Sequence, residues 1–326
     1  MLSSAEALSW YLDGARVGVA FNGQPVLAAV VTGDSDVLYC YANEVERMLR
    51  EELPAGASVE PVAWHEPLLG TAFAPGTRGV VHEPEVLPEL RAARARLLPR
   101  ELERYRALTR EVAAAFTDML ALAVPAETER ELAARLSRGI VELGADPLVV
   151  LVAGRSRLAL RHPLPTGAAI GDTVMVVACA RRHGLYANLT RWVRFRDPNP
   201  QERDAESRLL EVEADAFDAT KPGRELAAML SDIAAAYPRH GFDPGEWLRH
   251  HQGGPTGYAG RDPRATPHTT DLVVDGQPFA WNPTASGVKV EDTVLAAANG
   301  IEVLTADPRW PVVDVRGRAR PIALQQ

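Results

Sequence analysis

From residue 83 onward the chain reads helix, helix, strands, helix, strands, and this order narrows the folds open to it more than any other feature. EPEVLPELRAARARLLPRELERYRALTREVAAAFTDMLALAV carries long helical periodicity, with Arg and Glu at helix spacing. Its first part reads as a link between domains, and its second part opens a new one. PAETERELAARLSRGIVELGA is a second helix: Thr128 fits an N-cap with Glu131 three residues on, and Gly144 fits the stop. Three strand-like runs follow, PLVVLVAG, DTVMVVACARR and GLYANLTRWVRF, with RRHG around His183 read as a hairpin turn. A helical region is expected over 201–240, then strands in TDLVVDG, GQPFAWNP and GVKVEDTVLAAANGIEVLT.

Residues 1–95 have a different texture. ARVGVAF, PVLAAVVT and DVLYCYA are short apolar runs separated by NGQ and GDSD turn signals. ANEVERMLREEL then reads as an amphipathic helix with Val45, Met48 and Leu49 on one face, and SVEPVAW as a further strand. That mixture indicates a small α/β domain. A length of 326 residues suits two domains, 1–95 and 96–326, in a chain of mixed α/β class.

Charge excludes one class of function. The net charge is −8, and no block of Lys or Arg builds up. A nucleic-acid partner needs a basic face, because phosphate neutralisation supplies most of that affinity. Cys40 and Cys179 lie far apart in apolar runs and read as buried free thiols. The first residues have no basic stretch leading into an apolar core, and no apolar run approaches a membrane span. A cytoplasmic protein with neither nucleic-acid nor membrane partner is therefore expected.

The stretch HHQGGPTGYAGRDP, from His250 to Pro263, gathers two histidines, four glycines and an Arg-Asp pair. Together with three other segments it resembles the pita-bread family of methionine aminopeptidase, prolidase, Xaa-Pro aminopeptidase and creatinase. GVKVEDTVLAAANGIEVLT is similar to that family's closing motif, VPAETERELA to its G-x-T-E segment, and AGRSRLALRHPLPTGAAIGDTVMV to its pocket-histidine and G-D-x-v segments. The resemblance implies a creatinase/prolidase-like N-terminal α/β domain followed by a pita-bread domain of curved antiparallel sheet covered by helices.

Active peptidases of the family hold two divalent metals with two Asp, one His and two Glu, which activate a bridging water. Carried over residue by residue, the resemblance places Val177 and Asn188 at the two Asp positions, Gly254 at the His, Asn282 at the first Glu and Glu291 at the last. Valine and glycine offer no donor atom, and neutral Asn only a weak amide oxygen. No metal and no other cofactor is therefore expected.

Several pocket positions survive. The resemblance puts His162 at the pocket histidine, which in metal-free creatinase is the acid/base, and His250 at a substrate-side histidine. Arg261 stands where the family has a second pocket histidine, and Thr190 where creatinase has a glutamate. His162 with Glu291 is the expected catalytic pair. Arg261 could grip a carboxylate bidentately, and Asn188 and Asn282 present amides where metals would polarise a carbonyl. His251 reads as a helix-end histidine, and Tyr258 and Trp281 as either pocket lining or core. Three functions follow: a metal-independent enzyme cleaving a C–N bond of a small amino-acid-like, amide or peptide substrate; a non-catalytic ligand- or partner-binding relative; or a metallopeptidase of Xaa-Pro type with an atypical metal site. By family analogy the protein is a homodimer.

Overall fold

The computed structural model describes residues 1–326 and separates into Met1–Arg94 with Arg182–Leu185, and Ala95–Arg181 with Tyr186–Gln326. In the first unit, α1 (Ala5–Tyr11) begins at Ser4, whose hydroxyl accepts from the Ala7 amide at 3.1 Å. Strands β1 (Leu27–Val31) and β2 (Asp36–Tyr41) pair antiparallel, and β3 (Val59–Val62) adds to β2 in parallel. The helix α2 (Val45–Arg47) continues as a π-helical stretch, Met48–Glu52. Leu8, Leu27, Leu38, Cys40 and Met48 form the core. The ARVGVAF run departs from its expected strand. The amide of Gly23 closes a turn on the carbonyl of Ala20 at 3.0 Å, and Val19 and Phe21 are left exposed. Apolar content alone could not supply that run with a pairing partner. Helix α3 (Leu87–Ala95) closes this part of the chain.

In the second unit the helix signals behave as expected. Helices α4 (Pro99–Leu120) and α5 (Glu129–Glu142) follow in order, and the Thr128 hydroxyl accepts from the Glu131 amide at 3.2 Å in a reciprocal capping box. Gly144 takes φ 69°, the left-handed stop a helix end favours. Strand β4 (Asp146–Gly154) pairs with β5 (Thr173–Arg182), and His183 and Gly184, at φ 51° and 73°, turn the chain into β6 (Leu185–Arg194). Helices α6 (Pro200–Ala219) and α7 (Leu226–Arg239) come next.

Four of the next strands join the same sheet, β7 (Gly253–Pro255), β8 (Gln277–Trp281), β11 (Glu291–Ala297) and β12 (Gly300–Val303), while β9 (Thr284–Ala285) and β10 (Val288–Lys289) pair with each other as a separate hairpin. The spatial order is β4-β5-β6-β11-β8-β7, with β12 beside β11. TDLVVDG makes only a single bridge, Leu272 to Glu225, because the Val273 amide and carbonyl are used by the 223–224 loop. The chain ends in a hairpin that the hydrophobic pattern did not reveal, β13 (Val312–Val315) with β14 (Arg318–Pro321), and β15 (Leu324–Gln325) runs parallel to β6.

One sheet face packs on α6 and α7 through Leu209, Phe217, Met229, Ile233, Tyr237, Phe279, Trp281 and Val294. Trp281 and Tyr258 are core residues. The indole of Trp281 donates to the Thr220 hydroxyl at 2.9 Å, and the Tyr258 hydroxyl donates to Glu101 at 2.7 Å. Successive residues on β11 face opposite ways. Asp292 therefore turns from its neighbour Glu291 into a buried network, accepting from Arg191 at 2.9 Å and Arg320 at 2.6 Å, while Arg320 also grips Glu213 at 2.6 Å. Both cysteines are free thiols, Cys40 buried and Cys179 partly so. No helix is long and apolar enough to cross a membrane.

Candidate active site

A cavity of about 400 Å³ opens on the other face of the sheet, lined by Val177 and Cys179 of β5, Asn188 of β6, Glu291 of β11 and Asn282 just past β8. The strand register brings them together: Glu291 pairs with Thr190, and Asp292 pairs with both Leu189 and Trp281. His162 enters from the loop after β4, and His251, Arg261 and Arg264 from the glycine-rich segment.

The loop carrying His162 is clipped at both ends by one side chain. Glu129, fully buried at the start of α5, accepts from the Gly154 amide at 2.9 Å and from the Thr166 amide and hydroxyl at 2.9 and 2.6 Å, and pairs with Arg157. Arg161 ties the same loop to Glu246, just before the histidines. There the 3-10 turn Glu246–Arg249 ends, and Gln252 donates to the His250 carbonyl at 2.8 Å while accepting from Tyr237. Polar contacts thus hold both sides of the imidazole cluster, in which His250 is buried and His162 exposed.

The expected His162–Glu291 pair is not formed. His162 Nε2 meets His250 Nε2 at 3.1 Å, so one ring donates and the other accepts. His251, read as a helix-end residue, instead stacks on His250 with ring centroids 4.4 Å apart. Ring nitrogens of all three lie within 4.8 Å of one another. Only the adjacency of the two histidines could have signalled this, since His162 comes from 88 residues earlier. Burial, then Lys289, pushes His250 down to about 3; burial, then Arg261 and Arg264, does the same to His251, also to about 3. His162 is lowered by burial and Lys289, with Glu291 pulling the other way. All three imidazoles are therefore neutral at neutral pH.

Glu291 is fully engaged. Its Oε1 accepts from Arg261 at 2.8 Å, and its Oε2 accepts from Thr190 at 3.2 Å and lies 3.4 Å from the Lys289 ammonium. Burial alone would raise this carboxyl, but Lys289 and Arg261 together outweigh it and hold it at about 2. Arg261 and Thr190, both expected at the substrate, also hydrogen-bond Glu291, and Arg261 lines the cavity. Lys289 carries no signal in the sequence beyond its place in GVKVED, and only the fold brings its ammonium to Glu291. Asn188 Nδ2 reaches Thr256 at 3.4 Å, and the Asn282 amide oxygen is buried without a partner.

These residues do not fit a dinuclear metal centre. Val177 faces Leu151 across the β4–β5 pair and belongs to an apolar cluster with Met175 and Trp192. Gly254 sits at φ 143°, and a Cβ there would lie 2.7 Å from the Pro263 carbonyl oxygen and 2.9 Å from the Ala265 nitrogen. Backbone, not a movable side chain, fills the space a ligand histidine would need. The single remaining carboxylate already holds two protein cations.

Comparison with known proteins agrees with the fold. A solved prolidase from Pyrococcus horikoshii superposes with a TM-score of 0.76 at 21% identity, over 94% of this chain and 93% of that one. An X-Pro aminopeptidase from Thermotoga maritima gives 0.74 at 18% identity, covering 94% and 93%. In sequence, the Xaa-Pro dipeptidase of Pyrococcus horikoshii is 28% identical over 194 residues, 56% of this chain and 54% of the relative. The match thus spans about half the length of that relative. The model of metallopeptidase family M24 matches residues 103–298, more than half of the chain. With the pita-bread sheet and the ordered motifs in place, this chain belongs to metallopeptidase family M24.

Proposed function

We propose that the protein is a metal-independent member of its family that cleaves a C–N bond in a small amino-acid-like, amide or peptide substrate. Residues 1–95 form its N-terminal domain and 96–326 its catalytic-like domain, and it works as a cytoplasmic homodimer. The observation that carries the reading is the pairing of His162 with His250 beside a carboxylate neutralised by Arg261 and Lys289. His162 is the acid/base. Its neutral ring takes a proton from the attacking water, and the contact with His250 holds the ring while the charge is present. The same proton then goes to the leaving nitrogen as the C–N bond breaks. Arg261 and Lys289, with the amides of Asn188 and Asn282, face the oxygen on which negative charge develops. Glu291 sets the positions of the two cations.

Turnover of an Xaa-Pro dipeptide or a simple amide should survive chelator and fall about 10²–10⁴-fold in His162→Ala. Turnover that stops with chelator and returns with Mn²⁺ would contradict the proposal. The engagement of both Glu291 oxygens favours a second reading, a binding protein without catalysis. Ligand binding without turnover, unchanged in His162→Gln, is its signature.

A further inference from the structure

The lining of the cavity has an unusual charge balance for a chain of a metallopeptidase family. Arg161, Arg261, Arg264 and Lys289 face a single lining carboxylate, Glu291. Glu246 offsets Arg161 from behind, and Glu291 is shared between Arg261 and Lys289, so positive charge remains in excess. Lys289 is buried, at 5% exposure, on the two-residue strand β10. Removing an ammonium from water costs several kcal/mol unless charge and hydrogen bonds compensate it. Half a carboxylate compensates it incompletely.

Open hydrogen-bonding capacity accompanies the charge. Arg261 spends two of its nitrogens, on Glu291 and on the Gly260 carbonyl, but its Nε is buried with no partner. His251 Nδ1 is likewise buried and unpartnered. A metal ion is a poor candidate for this space, because any cation near the imidazoles would stand beside Lys289, Arg261 and Arg264. An oxyanion neutralises the excess charge and accepts from the guanidinium and ammonium groups of the lining residues Arg261, Arg264 and Lys289. Where the family holds a pair of cations that attract an anionic water, this chain has built the positive charge into its own side chains.

We propose that the cleft is an oxyanion receptor, taking a small ligand through a carboxylate or phosphate group seated on Arg261, Lys289 and Arg264. The inference rests on the cleft being the ligand site and not on turnover there. It deepens the proposed function by naming the substrate class: an acidic molecule, with its anionic group at the place of the family's metals.

Titration calorimetry with matched probes tests it. N-acetylglycine should bind at least about tenfold more tightly than N-acetylglycinamide, a difference of about 1.4 kcal/mol. Arg264→Gln, at an exposed position, and Arg261→Gln should each reduce that preference, while Arg203→Gln, remote in sequence and exposed, should leave it intact. Inorganic phosphate serves as the second arm. Phosphate binding with no carboxylate preference assigns a phosphorylated ligand and still supports the receptor. Equal binding of acid and amide with no phosphate binding would overturn it, as would tight Zn²⁺ uptake that depends on His251 and excludes the acid. Melting curves of each variant identify loss of fold, and Arg264→Gln keeps the test decisive if Arg261→Gln unfolds. A clear acid preference without any turnover would refute the enzyme and leave the receptor standing. Turnover of neutral amides with no acid preference would do the reverse.

Discussion

At the scale of single residues, the pocket runs on neutral imidazoles held beside fixed cations. His250 and His251, facing Lys289, Arg261, Arg264, His162 and Glu291, titrate near 3 in the folded chain, against an ordinary 6.5. Between those values the unfolded chain binds protons that the folded one refuses, so stability is full above about 6.5 and is lost as pH falls toward 3. Glu291 adds a separate loss, from its ordinary 4.5 down to about 2. The urea midpoint should therefore fall between pH 7 and pH 5, before Glu291 titrates, and fall less in the His250→Gln/His251→Gln variant. An unchanged midpoint over that range, in both proteins, would count against the imidazoles being buried neutral. Individual roles were only partly legible beforehand. Val177, Asn188, Asn282 and Glu291 could be placed by motif. The His162–His250 contact could not, because it joins a loop to a strand entrance through a fold that spacing does not encode. The same gap hid Lys289: a side chain's partner depends on register, and Glu291 pairs with Thr190 only in the assembled sheet.

At the scale of elements, local signals worked where they had local causes. The Thr128–Glu131 box, the Gly144 stop and the His183–Gly184 turn each satisfy backbone groups within a few residues. ARVGVAF and TDLVVDG failed as strands for the opposite reason, since a strand needs a distant partner that its own composition cannot supply. The terminal hairpin β13–β14 passed unread because Val312 and Val313 are exposed and leave no alternating signature. Strand β7 carries the sharpest element-level constraint. Its two glycines lie against β8 and the 263–265 segment so closely that neither tolerates a Cβ. A left-handed or extended positive-φ backbone costs a non-glycine residue about 1–3 kcal/mol. Gly254→Ala should lower the unfolding free energy by at least that much in a urea titration, and Gly254→His should restore no metal binding. A neutral effect of Gly254→Ala would mean that the segment is looser than this close approach requires.

At the scale of the whole molecule, the fold is the family's. The architecture was legible from ordered motifs spread over the chain, and the M24 match over residues 103–298 agrees with it. Chemistry was legible only through the resemblance, which implies donor-poor residues at the metal positions, whereas the cations gathered around Glu291 emerge from packing. The central claim is that protein cations on Glu291, a donor-less Val177 and a closed Gly254 leave no grip for a metal pair. Elemental analysis of protein incubated with Mn²⁺ or Co²⁺ and then desalted measures this directly. The account predicts no tightly held metal pair, and two retained equivalents per chain would contradict it.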